Sequence, residues 1–230
     1  MDCRLYRKGI VLFVAILTQH TVQAQPLTNQ QWRDSLNRLN RQIADSQWST
    51  DQHLRKAAIN LELQQWQYAI DEYGLILQRD EKNPAALFYR AYANTHLRRL
   101  DLARHDYEDL LMLSPYHFEA RLSLAYVFQQ MGRRQDALDQ FNTLVEQHPD
   151  SAIAYASRAN LEREMKQDDA ALYDWKRAEE LSPRDPTYVV SHVDLLLVLG
   201  RRTEARRVLD EAVRRGIPRG MLLEWFGKVK

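Results

Sequence analysis

The sequence predicts an all-α fold, an array of paired helices repeating every 34 residues, and three observations predict it. Steps of 34 from Ala137 land on Ala69, Ala103, Ala171 and Ala205. The same step links Ala57, Ala91, Ala125 and Ala159, with Val193 completing the series. Pro115, Pro149 and Pro183 recur at that period too, and there are only 7 glycines in 230 residues, so breaks fall at unit boundaries. Ladders of small residues at one period mark units that pack only on their neighbours and build no single central core.

The unit is clearest from Phe118 to Ser151, where two amphipathic helices flank a Gly132-Arg133-Arg134 turn and Pro149 closes the second. Alanine is needed where two helices approach closely, and a large residue one turn later fills the gap beside it. That residue is Tyr73, Tyr107, Phe141, Trp175 or Leu209. Asn83-Pro84 and Asp185-Pro186 supply a cap and a first-turn proline for the helices they precede. Five units follow in steps: 50–83, 84–117, 118–151, 152–185 and 186–219.

The ends differ from the units. Residues 1–24 read as a secretory signal: basic Arg4, Arg7 and Lys8, an apolar run over 9–17, and a small-residue site at Val22-Gln23-Ala24. An uncleaved anchor is the other reading, but the run is far short of the ~20 residues that span a bilayer. Cleavage leaves no membrane-spanning stretch and removes Cys3, the only cysteine, so no disulfide or thiolate metal site is expected. Residues 25–49 form an N-terminal cap and linker: Thr28 to Gln31 fits a capping box, and Trp32, Leu36, Leu39 and Ile43 make one apolar stripe. Residues 220–230 restart the pattern as a closing half-unit. Its Leu222, Trp225 and Phe226 either pack on the last unit or stay exposed as a second interface, docking another chain or another copy.

The full chain carries +1; without residues 1–24 it has 29 basic and 30 acidic residues. This balance gives no reason to expect nucleic acid or an anionic membrane as the target. No phosphate loop, H-E-x-x-H, G-x-S-x-G or paired-cysteine motif is present, so no catalytic residue, cofactor or metal is expected. The histidines are scattered, and carboxylates such as Asp168-Asp169 and Glu179-Glu180 read as solvated. The basic residues Arg98-Arg99, Arg133-Arg134, Lys166 and Arg201-Arg202 fit the negative ends of helix dipoles, or a shared edge facing an anion.

The alanine columns, the bulky position four residues later, the closing prolines and the turn glycines Gly132 and Gly200 resemble the tetratricopeptide repeat family over about 170 residues. That resemblance implies a right-handed superhelical α-solenoid of about five helix-turn-helix repeats between two capping helices. It also implies a concave groove along the first helices that binds a protein or peptide. Carried over by phase, the groove holds Phe88, Tyr92, Leu122, Tyr126, Gln129, Asn160 and Arg163. The rows lack the lysines of acidic-tail clamps, so apolar and aromatic anchors centre it, unless these side chains only pack neighbouring first helices together. With the leader, an exported scaffold in the cell envelope of a Gram-negative-type bacterium is expected, its rivals being a self-associating component and an envelope enzyme.

Overall fold

The computed structural model describes residues 27–229; the predicted leader 1–24 and Cys3 lie outside the described residues. The described part is helical throughout, with no strand among its residues. Helix α1 (Asn29–Ala44) begins at Thr28, whose hydroxyl accepts the Gln31 N–H while the Gln31 side chain accepts the Thr28 N–H. Its apolar stripe turns inward, with Leu39 buried and Trp32, Leu36 and Ile43 half-buried.

Five helix pairs follow: α2 (Thr50–Glu62) and α3 (Trp66–Leu77), α4 (Pro84–His96) and α5 (Leu100–Leu113), α6 (Phe118–Gln130) and α7 (Arg134–Gln147), α8 (Ala152–Glu164) and α9 (Asp168–Leu181), α10 (Pro186–Val198) and α11 (Arg202–Arg214). A 3₁₀ turn (Arg219–Leu222) and α12 (Leu223–Lys228) close the array. Consecutive helices pack on one another along the chain, as expected of an α-solenoid.

Local chemistry repeats with the period. Each first helix is capped by the residue before it: Ser49, Asn83, His117, Ser151 and Asp185 each accept a first-turn backbone N–H. Two of these caps, at Asn83-Pro84 and Asp185-Pro186, stand out in the sequence. His117 does the same work with Nδ1, 3.3 Å from the Ala120 nitrogen. Each first helix ends with a residue in the left-handed region: Gln64, Arg98, Gly132, Lys166 and Gly200, with φ of 57°, 59°, 75°, 63° and 73°. The next N–H then reaches back five residues, as from Arg99 to the Asn94 carbonyl at 2.9 Å and from Arg133 to Phe128 at 2.9 Å. These are Schellman closures, which satisfy carbonyls the helix end would otherwise leave free. The second helices start directly from them and have no side-chain cap.

Both alanine ladders are fully buried, and so is the large residue one turn after each second-helix alanine. A second, polar ladder runs inside the units. Lys56 pairs with Glu72 at 2.6 Å, Arg90 grips Asp106 at 2.6 and 2.8 Å, and Arg158 grips Asp174 at 2.6 and 2.9 Å. The third unit has Leu124 and Gln140 in these places, and there Arg121 bonds the Gln140 amide oxygen at 3.0 Å instead. Buried acids tolerate their sites here because a cation from the facing helix sits within bonding distance.

Candidate functional site

The first helices α4, α6 and α10 carry one row of side chains that stays half-buried: Phe88, Leu122 and Val190 from equivalent positions, with Leu54 from α2 ahead of them. Phe88 is wedged between rings, 5.8 Å from Tyr107 at a steep angle and stacked 5.5 Å from His117. Tyr92 lies 6.1 Å from Trp66 and 4.6 Å from His96, and His96 stacks flat on Trp66 at 4.0 Å. Burial in this stack lowers the His96 pKa below its usual 6.5.

Tyr126 sits edge-on to Phe141, and its hydroxyl shares a hydrogen bond with the buried Ser157 hydroxyl at 2.9 Å. The contact spans α6 to α8, and burial raises the phenol pKa although the Ser157 bond opposes it. Tyr126 is therefore a strut between neighbouring first helices, as well as part of the half-buried row. Trp225 makes a similar link at the closing end: its indole N–H donates to Asp194 of α10 at 2.8 Å.

The remaining predicted positions divide. Gln129 is half-buried, whereas Asn160 and Arg163 are exposed. Asn160 and Arg163 line an open depression of about 360 Å³ with Leu195, Lys166 and Val198. Val198, 71% exposed, was not expected there. A signal existed: its column reads Glu62, His96, Gln130, Glu164, Val198, and only the last unit puts a branched apolar residue in it. The row thus runs from an aromatic half on α4 and α6 to a polar half on α8 with one apolar lip.

Of the two readings of the closing half-unit, packing on the last unit is the one observed, and a second expectation, at Glu179, needs correction. Leu222 and Phe226 are buried inside the closing half-unit and Trp225 is tied to Asp194, so this trio does not form an exposed interface. The apolar residues that do remain open there are Met221 and Leu223. Glu179 is not solvated either. It is buried, with one oxygen 2.7 Å from His192 Nδ1 and the other accepting from Arg215 at 2.8 Å. His53 is paired in the same manner with Glu72 at 2.6 Å, and Trp48 stacks on it at 3.9 Å. Three residues of the basic turn edge have local partners: Arg98 bonds Gln130, Arg133 bonds Asp136 and Arg201 bonds Glu204.

Comparison with known proteins agrees with the geometry. Residues 95–161, from the end of α4 into α8, match the family model described as tetratricopeptide repeat. That stretch of the chain is similar to the tetratricopeptide repeat. The fold of the chain is shared with a tetratricopeptide repeat protein from Parabacteroides merdae (TM-score 0.64, 23% identity, 86% of this chain and 77% of that one). It is shared as well with MamA (TM-score 0.64, 17% identity, 72% and 91%) and with TTC0263 from Thermus thermophilus (TM-score 0.59, 18% identity, 83% and 96%). Such identities show the fold alone. Among curated proteins, the mouse peptidyl-prolyl cis-trans isomerase FKBP4 is 39% identical over 83 residues, 36% of this chain and 18% of that protein. A DnaJ homolog subfamily C member 7 homolog from Dictyostelium discoideum is 24% identical over 109 residues, 47% and 20%. The chain thus spans about a fifth of the curated relatives it matches, and no described helix is long and apolar enough to cross a membrane.

Proposed function

We propose that this chain is an exported adaptor that holds a peptide segment of a partner protein along its first helices, in assembly of the cell envelope. One observation carries the reading: the first helices keep a row of accessible side chains, aromatic and half-buried at Phe88, Tyr92 and Tyr126 and polar and exposed at Asn160 and Arg163, while their other faces are buried. Rings with an accessible edge supply contact area at low entropic cost, and an extended or helical segment offers matching apolar anchors. Export and the envelope rest on the basic start, apolar run and small-residue site of residues 1–24. The isomerase activity in the name of the mouse relative is not carried over, because the likeness reaches so little of that protein.

A photo-crosslinking residue tests this whatever the partner is. Placed at Asn160 it captures one defined partner from the native envelope fraction, and excess unlabelled chain competes the product away. Placed at Tyr68, exposed on the second helix α3, it captures none. Equal capture at both positions contradicts the reading. Self-association through the closing half-unit is a weaker rival, with Met221 and Leu223 its exposed apolar residues; a monomeric molar mass for the whole chain removes it.

A further inference from the structure

Three columns of the repeat are all polar in three of the units, whereas in the other two units only one of the three is polar. The first unit has Lys56, Asn60 and Glu72, the second Arg90, Asn94 and Asp106, and the fourth Arg158, Glu162 and Asp174. The third has Leu124, Phe128 and Gln140, and the fifth His192, Leu196 and Val208. In the two earlier polar units one cation meets one acid, and the third member is a neutral amide; both Asn60 and Asn94 are buried. In the fourth unit that amide is replaced by a second acid.

The geometry leaves Glu162 without an anchor. Arg158 Nε and Nη2 are taken by the two oxygens of Asp174, and Nη1 donates to Asn142 of α7 at 3.0 Å. The nearest Glu162 oxygen is 3.8 Å from Arg158 Nε, too long for a hydrogen bond, and its other oxygen, Oε2, is buried with no hydrogen-bond partner. The side chain is only 9% exposed. Two charged groups act on it: Arg158 from its own helix and Asp174 from α9, while α7 contributes the neutral Asn142 through Arg158. Two buried carboxylates beside one guanidinium cannot both be comfortably ionised.

We propose that Glu162 is a proton-operated catch at the joint between the third and fourth units. Protonated, it stands in for the asparagine of the first two units, and Arg158 holds Asp174 and Asn142 together. Ionised, it competes with Asp174 for Arg158 and loosens the link from α7 to α8 and α9. Burial first, and the Asp174 carboxylate second, push the Glu162 carboxyl from its ordinary 4.5 up to about 7, with Arg158 pulling the other way. The sign follows. The folded chain binds more protons than the unfolded one between those two values, so stability falls as pH rises through that window and is constant above it. Asn160 and Arg163 lie beside Glu162 on α8, so the catch sits beneath the polar half of the exposed row.

The experiment uses the whole chain with side-chain carboxyl carbons of glutamate labelled for NMR. One glutamate should titrate near pH 7, vanish in Glu162→Gln, and leave the others in the ordinary carboxylate range. Hydrogen-exchange protection of α8 and α9 should fall about tenfold from roughly pH 6 to 8 in the wild type and stay constant in Glu162→Gln. Glu162→Asn, which copies the first two units, should behave like Glu162→Gln. All glutamates titrating below about pH 5.5 would overturn the proposal. Protection changing equally in wild type and both variants would overturn it as well.

Discussion

Arg158 and Asp174 lie 16 residues apart and form a two-pronged ion pair, Nε to one oxygen at 2.6 Å and Nη2 to the other at 2.9 Å. Asp174 is almost wholly buried, so the pair joins α8 to α9 from within the unit. Its worth is best judged against the third unit, which manages with Leu124 and Gln140 in the same places.

Asp174→Leu leaves the Arg158 guanidinium partly buried and without its main partner, and a loss of about 3–5 kcal/mol in urea unfolding is expected. The double change Arg158→Leu with Asp174→Gln copies the third unit and removes both charges. It should cost about 1.5 kcal/mol or less, since replacing a buried pair whole is often nearly neutral. A double variant as unstable as the single one would show that the pair itself is favourable.

The left-handed turn position makes a cleaner prediction. Arg98 and Lys166 adopt φ near 60° where the third and fifth units have glycine. Arg98→Gly and Lys166→Gly should each stabilise the chain by about 0.5–1 kcal/mol, the relief from left-handed strain exceeding the extra entropy of glycine when unfolded. Gly132→Ala should cost about 1 kcal/mol in the same assay. No atom lies within 4 Å of the added methyl, so any loss comes from backbone conformation and not from a clash.

His96 is stacked on Trp66 at 4.0 Å, and burial lowers its pKa. A depressed value means that the neutral ring is the one favoured by folding, so its contribution is full above pH 6.5 and is lost as pH falls through the lower, folded value. The NMR titration midpoint of His96 should lie below 6.5 and return toward it in Trp66→Ala. A midpoint at or above 6.5 in the wild type would contradict the stacking account.

Ala137→Arg tests the close approach of α6 and α7. Ala137 is fully buried, so the substitution adds both overpacking, about 1–3 kcal/mol, and an unpaired buried charge. Far-ultraviolet circular dichroism and thermal unfolding should show loss of cooperative folding against a total of about 5–15 kcal/mol. Retention of the wild-type midpoint would mean that the ladder does not mark helix contacts.

What could be read from the residues follows from chemistry. Ala69, Ala103, Ala137, Ala171 and Ala205 were legible because close helix approach tolerates almost nothing larger, so the requirement writes itself at a fixed spacing. The polar ladder from Lys56 to Asp174 was not legible, because Leu124 and Gln140 interrupt its charges and a charged residue defaults to solvent. Glu179 escaped for another reason: its partners His192 and Arg215 are 13 and 36 residues away, beyond its own helix, and no single period links them. The exposed row was legible in position but not in role. Sequence phase places Tyr126 on it, yet only the folded arrangement shows its hydroxyl fixed to Ser157.

The most direct measurement is affinity for a peptide selected from a random library on the whole chain, followed by fluorescence anisotropy. Tyr92→Ala combined with Arg163→Glu should weaken binding at least about tenfold while the helical signal and unfolding midpoint hold. Tyr68→Ala, on a second helix, should leave affinity unchanged. If the Tyr68 change abolishes binding and the paired first-helix change does not, the partner lies on another face and the account is wrong.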